Sequence, residues 1–360
     1  MVIAEYCNYA ANYAGNFIKS LQSMESYMKE KDPNNQIIYI LPSFAATLPW
    51  AIELSHSNLV IFIPESGRIK TNYKLISYCK QYNIDILHSH FHGLSSIFLI
   101  GWLTKTKVIA HFHNTIDQIS LGKKILYKFF GIKVCCFLGC AKSVYDTLIA
   151  AGFNKSKTSF ITNCIDFQRL DKKGVTPITI NTDKNNLLIL GTDFYRKGVD
   201  IALKAIEPIA DKHNICLQIV SHYPEITKQE VKKCLGHQPS WVTVLPTTEY
   251  IGDYYRQSEL FLSPSRNEGL SYAIPEAIYC GCLPIKSAIP SLTYNLEGEQ
   301  LLSINSTPEK LRERIIQILQ MSNTDKYYLI NILRTQVLDN YSIVKWGEKM
   351  SHIYLDVSHV

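Results

Sequence analysis

The chain has 360 residues, 46% hydrophobic and 19% charged, which suffices for sizeable cores and two α/β domains and excludes a disordered protein. A net charge of +6 and a pI of about 8.6 are too mildly basic to predict nucleic-acid binding; they suit an anionic small molecule or an acidic membrane surface. The 10 cysteines form no C-x-x-C pair, and Cys135, Cys136 and Cys216 fall in apolar runs. With no signal-peptide pattern, they read as reduced thiols of a cytoplasmic protein. The longest apolar stretches, Gly93–Leu103 and Ile132–Ala141, are too short to span a membrane.

Taken in chain order, short β-rich runs alternate with helical patterns. Strands are predicted at Val2–Glu5, Gln36–Leu41, Asn58–Ile63, Ile84–His88, Lys107–His111, Val134–Leu138 and Ser159–Thr162. Helical patterns fall between most of them, as at Asn16–Lys29, Tyr73–Tyr82 and Lys142–Ala151. Polar sequence around Asp166–Pro177 reads as a linker. A second series follows, with strands near Leu187–Gly191, Cys216–Val220, Trp241–Leu245, Glu259–Leu262 and Leu283–Ile285, then a largely helical end. Such alternation predicts two tandem, doubly wound parallel sheets, which bind ligands at the carboxyl ends of their strands. The expected domains are residues 1–166 and 167–340, with 341–360 as a returning C-terminal helix, and a cleft is expected between the two domains.

Three stretches carry chemistry. Ser263 to Ala277 contains Glu268 at the end of a predicted strand and Glu276 along the helix that follows, with a stop at Gly281. Carboxylates accept hydrogen bonds from sugar hydroxyls, and the free amides of a helix start suit phosphate. On spacing alone, however, the two are a turn acid and a helix-surface acid. Thr192 to Asp200, after a predicted strand, brings Arg196 and Lys197 to the opening of a helix. His88-Ser89-His90-Phe91-His92 and His111-Phe112-His113 also follow predicted strands. Alternate residues of an extended chain share a face, so His88, His90 and His92 are expected to converge, as are His111 and His113. His-x-His at a strand end is a metal-binding pattern, which makes a metal-dependent hydrolase the alternative reading. Such an enzyme also needs nearby carboxylates, and Asp85 and Asp117 are the closest in sequence.

The full string Pro264-Ser265 … Glu268-Gly269 … Glu276-Ala277 … Gly281-Cys282-Leu283-Pro284 resembles the E-x7-E signature of glycosyltransferase family 4, of the GT-B fold. Gly191 to Asp200 resembles that family's G-x5-K-G-x-D stretch, with Thr192 where many members carry Arg. Thr162 to Asp166 resembles the N-G-I-D stretch at the interdomain crossing, with Cys164 in place of glycine, and Tyr341 to Trp346 resembles the start of the closing helix.

The resemblance implies a retaining, metal-independent transfer of a hexosyl or N-acetylhexosaminyl group from a nucleotide diphosphate sugar, a UDP-sugar foremost. The acceptor it implies is a hydroxyl of a growing, lipid-linked cell-surface glycan. By this likeness Glu268, with Gly269, Leu270 and Ser271, holds the donor sugar, and Glu276 holds the ribose. Arg196 and Lys197 bind the diphosphate, and Thr247 and Tyr250 lie near the base. His113 contacts the sugar near the reacting carbon, with His111 as its competitor. Gly15, Asn16 and His90 fall on the acceptor side. Loss of a nucleoside diphosphate requires its growing charge to be neutralised. No Asp-x-Asp is present to hold a metal for that purpose, so cationic side chains are expected to serve and no cofactor is called for. A non-catalytic sugar-binding protein is a third reading, which turnover of a donor would decide.

Residues 121–133 interleave Lys123, Lys124, Lys128 and Lys133 with large apolar side chains. A basic amphipathic helix of this kind reads either as a core helix with snorkelling lysines or as an anchor on an anionic membrane. Family members working on lipid carriers favour the anchor, and with it a peripheral location on the inner face of the cell membrane.

Overall fold

The computed structural model describes residues 1–9, 15–64, 67–116, 120–174, 183–268 and 271–359. Gly269, Leu270, Asp117 and Pro177, named above, lie outside them. The chain divides into two compact units, one of residues 1–166 with 341–360 and one of residues 167–340.

In the first unit the order is β1 (Val2–Cys7), α1 (Gly15–Lys31), β2 (Gln36–Pro42), α2 (Pro49–Ser57), β3 (Leu59–Ile63), α3 (Arg68–Gln81), β4 (Ile86–His90), α4 (Ile100–Leu103), β5 (Lys107–Phe112), α5 (Leu121–Phe130), β6 (Val134–Gly139), α6 (Lys142–Ala150) and β7 (Thr158–Phe160). The strands form one parallel seven-stranded sheet in the order β3-β2-β1-β4-β5-β6-β7. Runs such as Ile37 to Leu41 are continuously apolar because helices cover both faces of the sheet. β4 departs from this pattern: it begins and ends two residues later than predicted, which draws Ser89 and His90 into the sheet beside His88, all buried.

In the second unit β8 (Asn185–Leu190), α7 (Val199–Ile206), β9 (Ile215–Ser221), α8 (Pro224–Leu235), β10 (Val242–Pro246), α9 (Ile251–Arg256), β11 (Leu260–Ser263), α10 (Ala273–Tyr279), β12 (Leu283–Ser287), β13 (Ser303–Ile304), α11 (Pro308–Leu319) and α12 (Asn323–Asn340) follow one another. This sheet runs β10-β9-β8-β11-β12-β13, with every pair parallel. Two doubly wound sheets are what the alternation predicts.

The last helix, α13 (Ile343–Ser358), belongs to the first unit and packs on α1. Gly347 permits that approach: a Cβ there would stand 3.3 Å from the Cα of Met24. Trp346, Met350, Tyr354 and Val357 complete the core under α1 and β1. The outgoing and returning strands of chain are bridged, Ile165 N–H donating to Tyr341 O at 3.0 Å. No helix among the described residues is long and apolar enough to cross a membrane.

Candidate active site

In the second unit the strand order turns round between β8 and β11, and the loops leaving these two strands carry the charged residues. The loops are locked together. Gly198 has φ +70, and a Cβ on it would come within 2.1 Å of Pro264 O, so a glycine is required at this crossing. Arg266 N–H donates to Arg196 O at 2.8 Å, and the Arg266 guanidinium grips both carboxylate oxygens of Asp200 at 2.7 Å. On this frame Lys197 Nζ donates to Glu268 Oε1 at 2.6 Å, Arg196 Nη1 to Oε2 at 3.1 Å, and Ser265 Oγ to Oε1 at 2.9 Å. Glu268 is 9% exposed. Arg196 is also tied through Nε to Asp193 at 2.7 Å, which holds the Asp193 carboxyl below its ordinary range.

Glu276 sits in the first turn of α10, buried, with its Oε1 accepting from Arg169 Nη2. Arg169 comes from the turn 167–171, which Arg256 fixes by donating to Leu170 O and Asp171 Oδ1, each at 2.7 Å. Phe167 stacks on Tyr279 at 4.7 Å. Beyond β9 and β10, Thr247 Oγ1 is hydrogen-bonded to His222 Nδ1 at 3.2 Å, and His222 N–H donates to Thr192 Oγ1 at 3.3 Å. Tyr250 opens α9, and the carbonyl of Ser271 accepts from Tyr294 Oη. Glu268, Arg196, Lys197 and, further along the same edge, Thr247 thus stand at the carboxyl ends of parallel strands. Arg169, Ser265 and His222 are roles the sequence reading did not assign; Ser265 lies in the signature string itself and Arg169 three residues past the crossing stretch, while nothing local marks His222.

The first sheet turns round between β1 and β4, and there the buried polar residues gather. The register sets Glu5 beside His88 and Cys7 beside His90, while His90 faces His111 across β5. Glu5, His88 and His90 have no exposed surface. His90 Nε2 lies 2.8 Å from Glu5 Oε2 and its Nδ1 3.1 Å from His113 Nε2. Tyr354 Oη lies 2.5 Å from Glu5 Oε1 and 2.6 Å from His88 Nδ1, and His88 Nε2 is 3.2 Å from His111 Nδ1. Burial pushes His90 and His111 well below the ordinary imidazole range, and burial with the nearby His88 brings His113 to about 3. All three are therefore neutral near pH 7. The half-buried His113 ring stacks between Phe91 at 4.0 Å and His111 at 4.3 Å.

Three expectations need correction. His92 does not converge with His88 and His90: Phe91 adopts φ +61, which turns the chain and stacks His92 on Tyr6 at 3.8 Å, on the opposite face of β1. His90 cannot face an acceptor, because it is fully buried and both ring nitrogens are engaged. Asn16 has its Oδ1 occupied by Asp166 N–H at 2.9 Å, which makes it a clamp on the crossing; Gly15, with φ +56, opens α1 beside it. The ring nitrogens of His88, His90 and His111 do come within 4.8 Å of one another. A catalytic metal needs an open coordination position, however, and this cluster is sealed, with five of its six ring nitrogens already paired, so it lends the hydrolase reading no support.

The chain shares its fold with known proteins, and each unit matches a family by sequence. Residues 42–169 match the model described as Glycosyltransferase Family 4, and residues 184–321 the one described as Glycosyl transferases group 1. A capsular polysaccharide biosynthesis glycosyltransferase, CapH of Staphylococcus aureus, is 24% identical over 66% of this chain and 69% of its own. Among solved structures, a glycosyltransferase from Rickettsia africae superposes with a TM-score of 0.83 at 17% identity, covering 99% of this chain and 98% of that one. HepE of Anabaena in complex with UDP-glucose gives 0.77 at 13% identity, over 99% of this chain and 100% of that one. By sequence in each unit, and by fold over its whole length, the chain matches glycosyltransferases of family 4 and group 1 on the GT-B fold.

Proposed function

We propose that this protein is a retaining, metal-independent glycosyltransferase that moves a hexosyl or N-acetylhexosaminyl group from a nucleotide diphosphate sugar to a hydroxyl of a lipid-linked surface glycan. The observation that carries the reading is the cluster of Lys197, Arg196 and Glu268 at the turning point of the second sheet, two cations and a nearly buried carboxylate on interlocked loops. Two cations suit a diphosphate, and a carboxylate suits the vicinal hydroxyls of a sugar.

In this reading Arg196 and Lys197 bind the diphosphate and neutralise the charge that grows on it as the glycosidic bond breaks. Glu268 accepts from sugar hydroxyls, and Ser271 adds to that contact, as Gly269 and Leu270, outside the described residues, are expected to do by the family likeness. Glu276, oriented by Arg169, takes the ribose hydroxyls. Thr247 and Tyr250, with His222, receive the base. His113 contacts a sugar hydroxyl near the reacting carbon. The retaining course follows from the family likeness: the departing phosphate oxygen takes the acceptor's proton on the face it leaves. A UDP-sugar is the first donor to test, since HepE was solved with UDP-glucose, and the capsular role of CapH supports a surface-glycan acceptor.

Association with an anionic membrane belongs to the same reading. None of α5 is buried, and Leu121 (75% exposed), Ile125 (61%) and Phe129 (53%) stand open beside Lys124 and Lys128. Trp102, under Lys133 at 5.0 Å, adds an exposed aromatic side chain nearby. A core helix would bury these side chains; a helix in a lipid headgroup layer would use them.

The test is a screen of UDP-, GDP- and ADP-sugars by thermal shift, followed by release of the nucleoside diphosphate with a soluble lipid-like acceptor. Stabilisation by one nucleotide class and stoichiometric transfer are expected. Binding without turnover for every donor would leave a sugar-binding protein instead.

A further inference from the structure

The buried chain in the first unit has a direction. A carboxylate only accepts hydrogen bonds, and a neutral imidazole has one donor and one acceptor nitrogen. With Glu5 as the carboxylate, Tyr354 O–H donates to its Oε1 and His90 Nε2–H to its Oε2. His90 Nδ1 is then an acceptor, and the group that reaches it is His113 Nε2–H. On the other arm the Tyr354 oxygen accepts from His88 Nδ1–H, and His88 Nε2 from His111 Nδ1–H. Every donor in both arms points toward Glu5. His111 Nε2, at the far end of its arm, is buried without a partner. His113 is different: its ring is half-buried at the carboxyl end of β5, and no partner for its Nδ1 is present among the described residues.

We propose that Glu5 and His90 are positioning residues, which hold His113 as the Nε2–H tautomer and so present its Nδ1 lone pair to a sugar hydroxyl. The inference rests on the reading of His113 as sugar-facing. It assigns a role to two residues that touch no substrate, one of them a lone acid in an otherwise apolar first strand. A histidine fixed in this way accepts from a hydroxyl without having to lose a proton first, and the neutral state is kept by burial. Second-layer carboxylates set the tautomer of functional imidazoles in the same manner.

The experiment is a long-range ¹H–¹⁵N correlation spectrum of the uniformly labelled protein, with His113 assigned from a His113→Gln variant. Wild type should show His113 protonated at Nε2 and bare at Nδ1; the opposite tautomer would overturn the proposal with no further variant. In Glu5→Gln, where the amide turns its N–H to His90 Nε2 and keeps its C=O on the Tyr354 O–H, His90 and then His113 reverse. The His113 Nδ1 resonance should move to the protonated range, and kcat should fall by about tenfold or more, with donor KM within about twofold. The amide must donate on one arm, so a folded Glu5→Gln protein in which His90 reverses without His113, or in which the His88 and His111 tautomers and the His90 and His113 tautomers all stay as in wild type, overturns the idea whether or not its rate falls. Tyr354→Phe removes a bond from the other side of Glu5 and should leave the His113 tautomer as in wild type despite a lower Tm; a reversal there would equally overturn it. The two claims separate cleanly. The expected tautomer in a protein that transfers no sugar sinks the functional reading alone, and sugar transfer by an Nδ1–H His113 sinks this proposal alone.

Discussion

Replacing Lys197 by Met keeps the stem and removes the charge. In the free protein its ammonium stands 2.6 Å from Glu268, with the lysine side chain 22% exposed and the carboxylate 8%. At an effective dielectric of about 20 that separation corresponds to ~6 kcal/mol of gross attraction. Desolvation offsets most of it, and Arg196 and Ser265 remain on Glu268, so the expected loss of stability is about 1–2 kcal/mol. Catalysis should suffer more. If Lys197 faces a diphosphate whose charge grows as the sugar departs, its removal costs about 2–4 kcal/mol of barrier, or roughly 30- to 1000-fold in rate. Initial rates against donor concentration, beside a urea melt, separate the two quantities. A loss below about threefold in kcat/KM, or a rise in KM at unchanged kcat, would refute the reasoning, because the lysine would then be a structural partner of Glu268 or a uniform binder.

Glu276→Ala should weaken nucleotide binding with a smaller effect on kcat, since ribose contacts are made in ground and transition states alike; titration calorimetry with the free nucleoside diphosphate checks it, and unchanged affinity would remove Glu276 from the site. Transfer should persist in excess EDTA; activity abolished by EDTA and restored by zinc would reopen the hydrolase reading. Stability should fall on acidification: His113 and His92 have folded-state values of about 3 and about 4 against 6.5, so they favour the folded state above pH 6.5 and lose that contribution as the pH falls toward the folded values. Each can cost up to ~1.4 kcal/mol per pH unit in that window, so Tm at pH 5 should lie below that at pH 7.5, and equal or higher Tm at pH 5 would contradict their burial. Protein should sediment with anionic liposomes at low salt and be released at high salt, each lysine near the surface contributing about 1 kcal/mol; replacing Lys123, Lys124 and Lys128 by Glu should abolish binding while sparing transfer to a soluble acceptor.

Both sheets were legible because parallel strands covered on two faces must be apolar throughout, and runs such as Ile37 to Leu41 and Leu187 to Leu190 admit few other readings. The acid-and-base cluster of the second unit was legible as a string, since Glu268 and Lys197 each sit within a few residues of the glycines and prolines that shape their loops. What joins them was not. The Arg266–Asp200 clamp spans residues far apart in sequence, and nothing local in either stretch announces the pairing. The histidines mislead for a related reason. Period-two reasoning holds within β4, but a single left-handed residue, Phe91, ends it just before His92. The acid at the centre of that cluster was missed because Glu5 lies in an apolar strand, where a lone carboxylate carries no motif. Its partner Tyr354 comes from the other end of the chain, brought there by the packing of α13 on α1.

The pairing of Glu268 with Lys197 and Arg196 has a consequence for the order of events at the second site. In the free protein both cations are paired with this carboxylate, Arg196 with Asp193 as well, so a diphosphate that takes them, as proposed, must weaken their hold on Glu268. A carboxylate this buried is costly to leave with fewer donors. Hydroxyls of the attached sugar are the natural replacements, since they donate where the cations withdrew. If, as proposed, a diphosphate takes these cations, a nucleoside diphosphate alone strains the site and the complete donor relieves it. On that proposal the exchange should favour the nucleotide sugar over the product nucleotide, the sense required of a transferase that must release one and bind the other. In Glu268→Gln Lys197 is no longer held by a full negative charge, and Arg196 keeps only Asp193. Affinity for the bare nucleoside diphosphate should then rise while affinity for the nucleotide sugar falls, a crossing of preferences that a merely structural carboxylate would not produce.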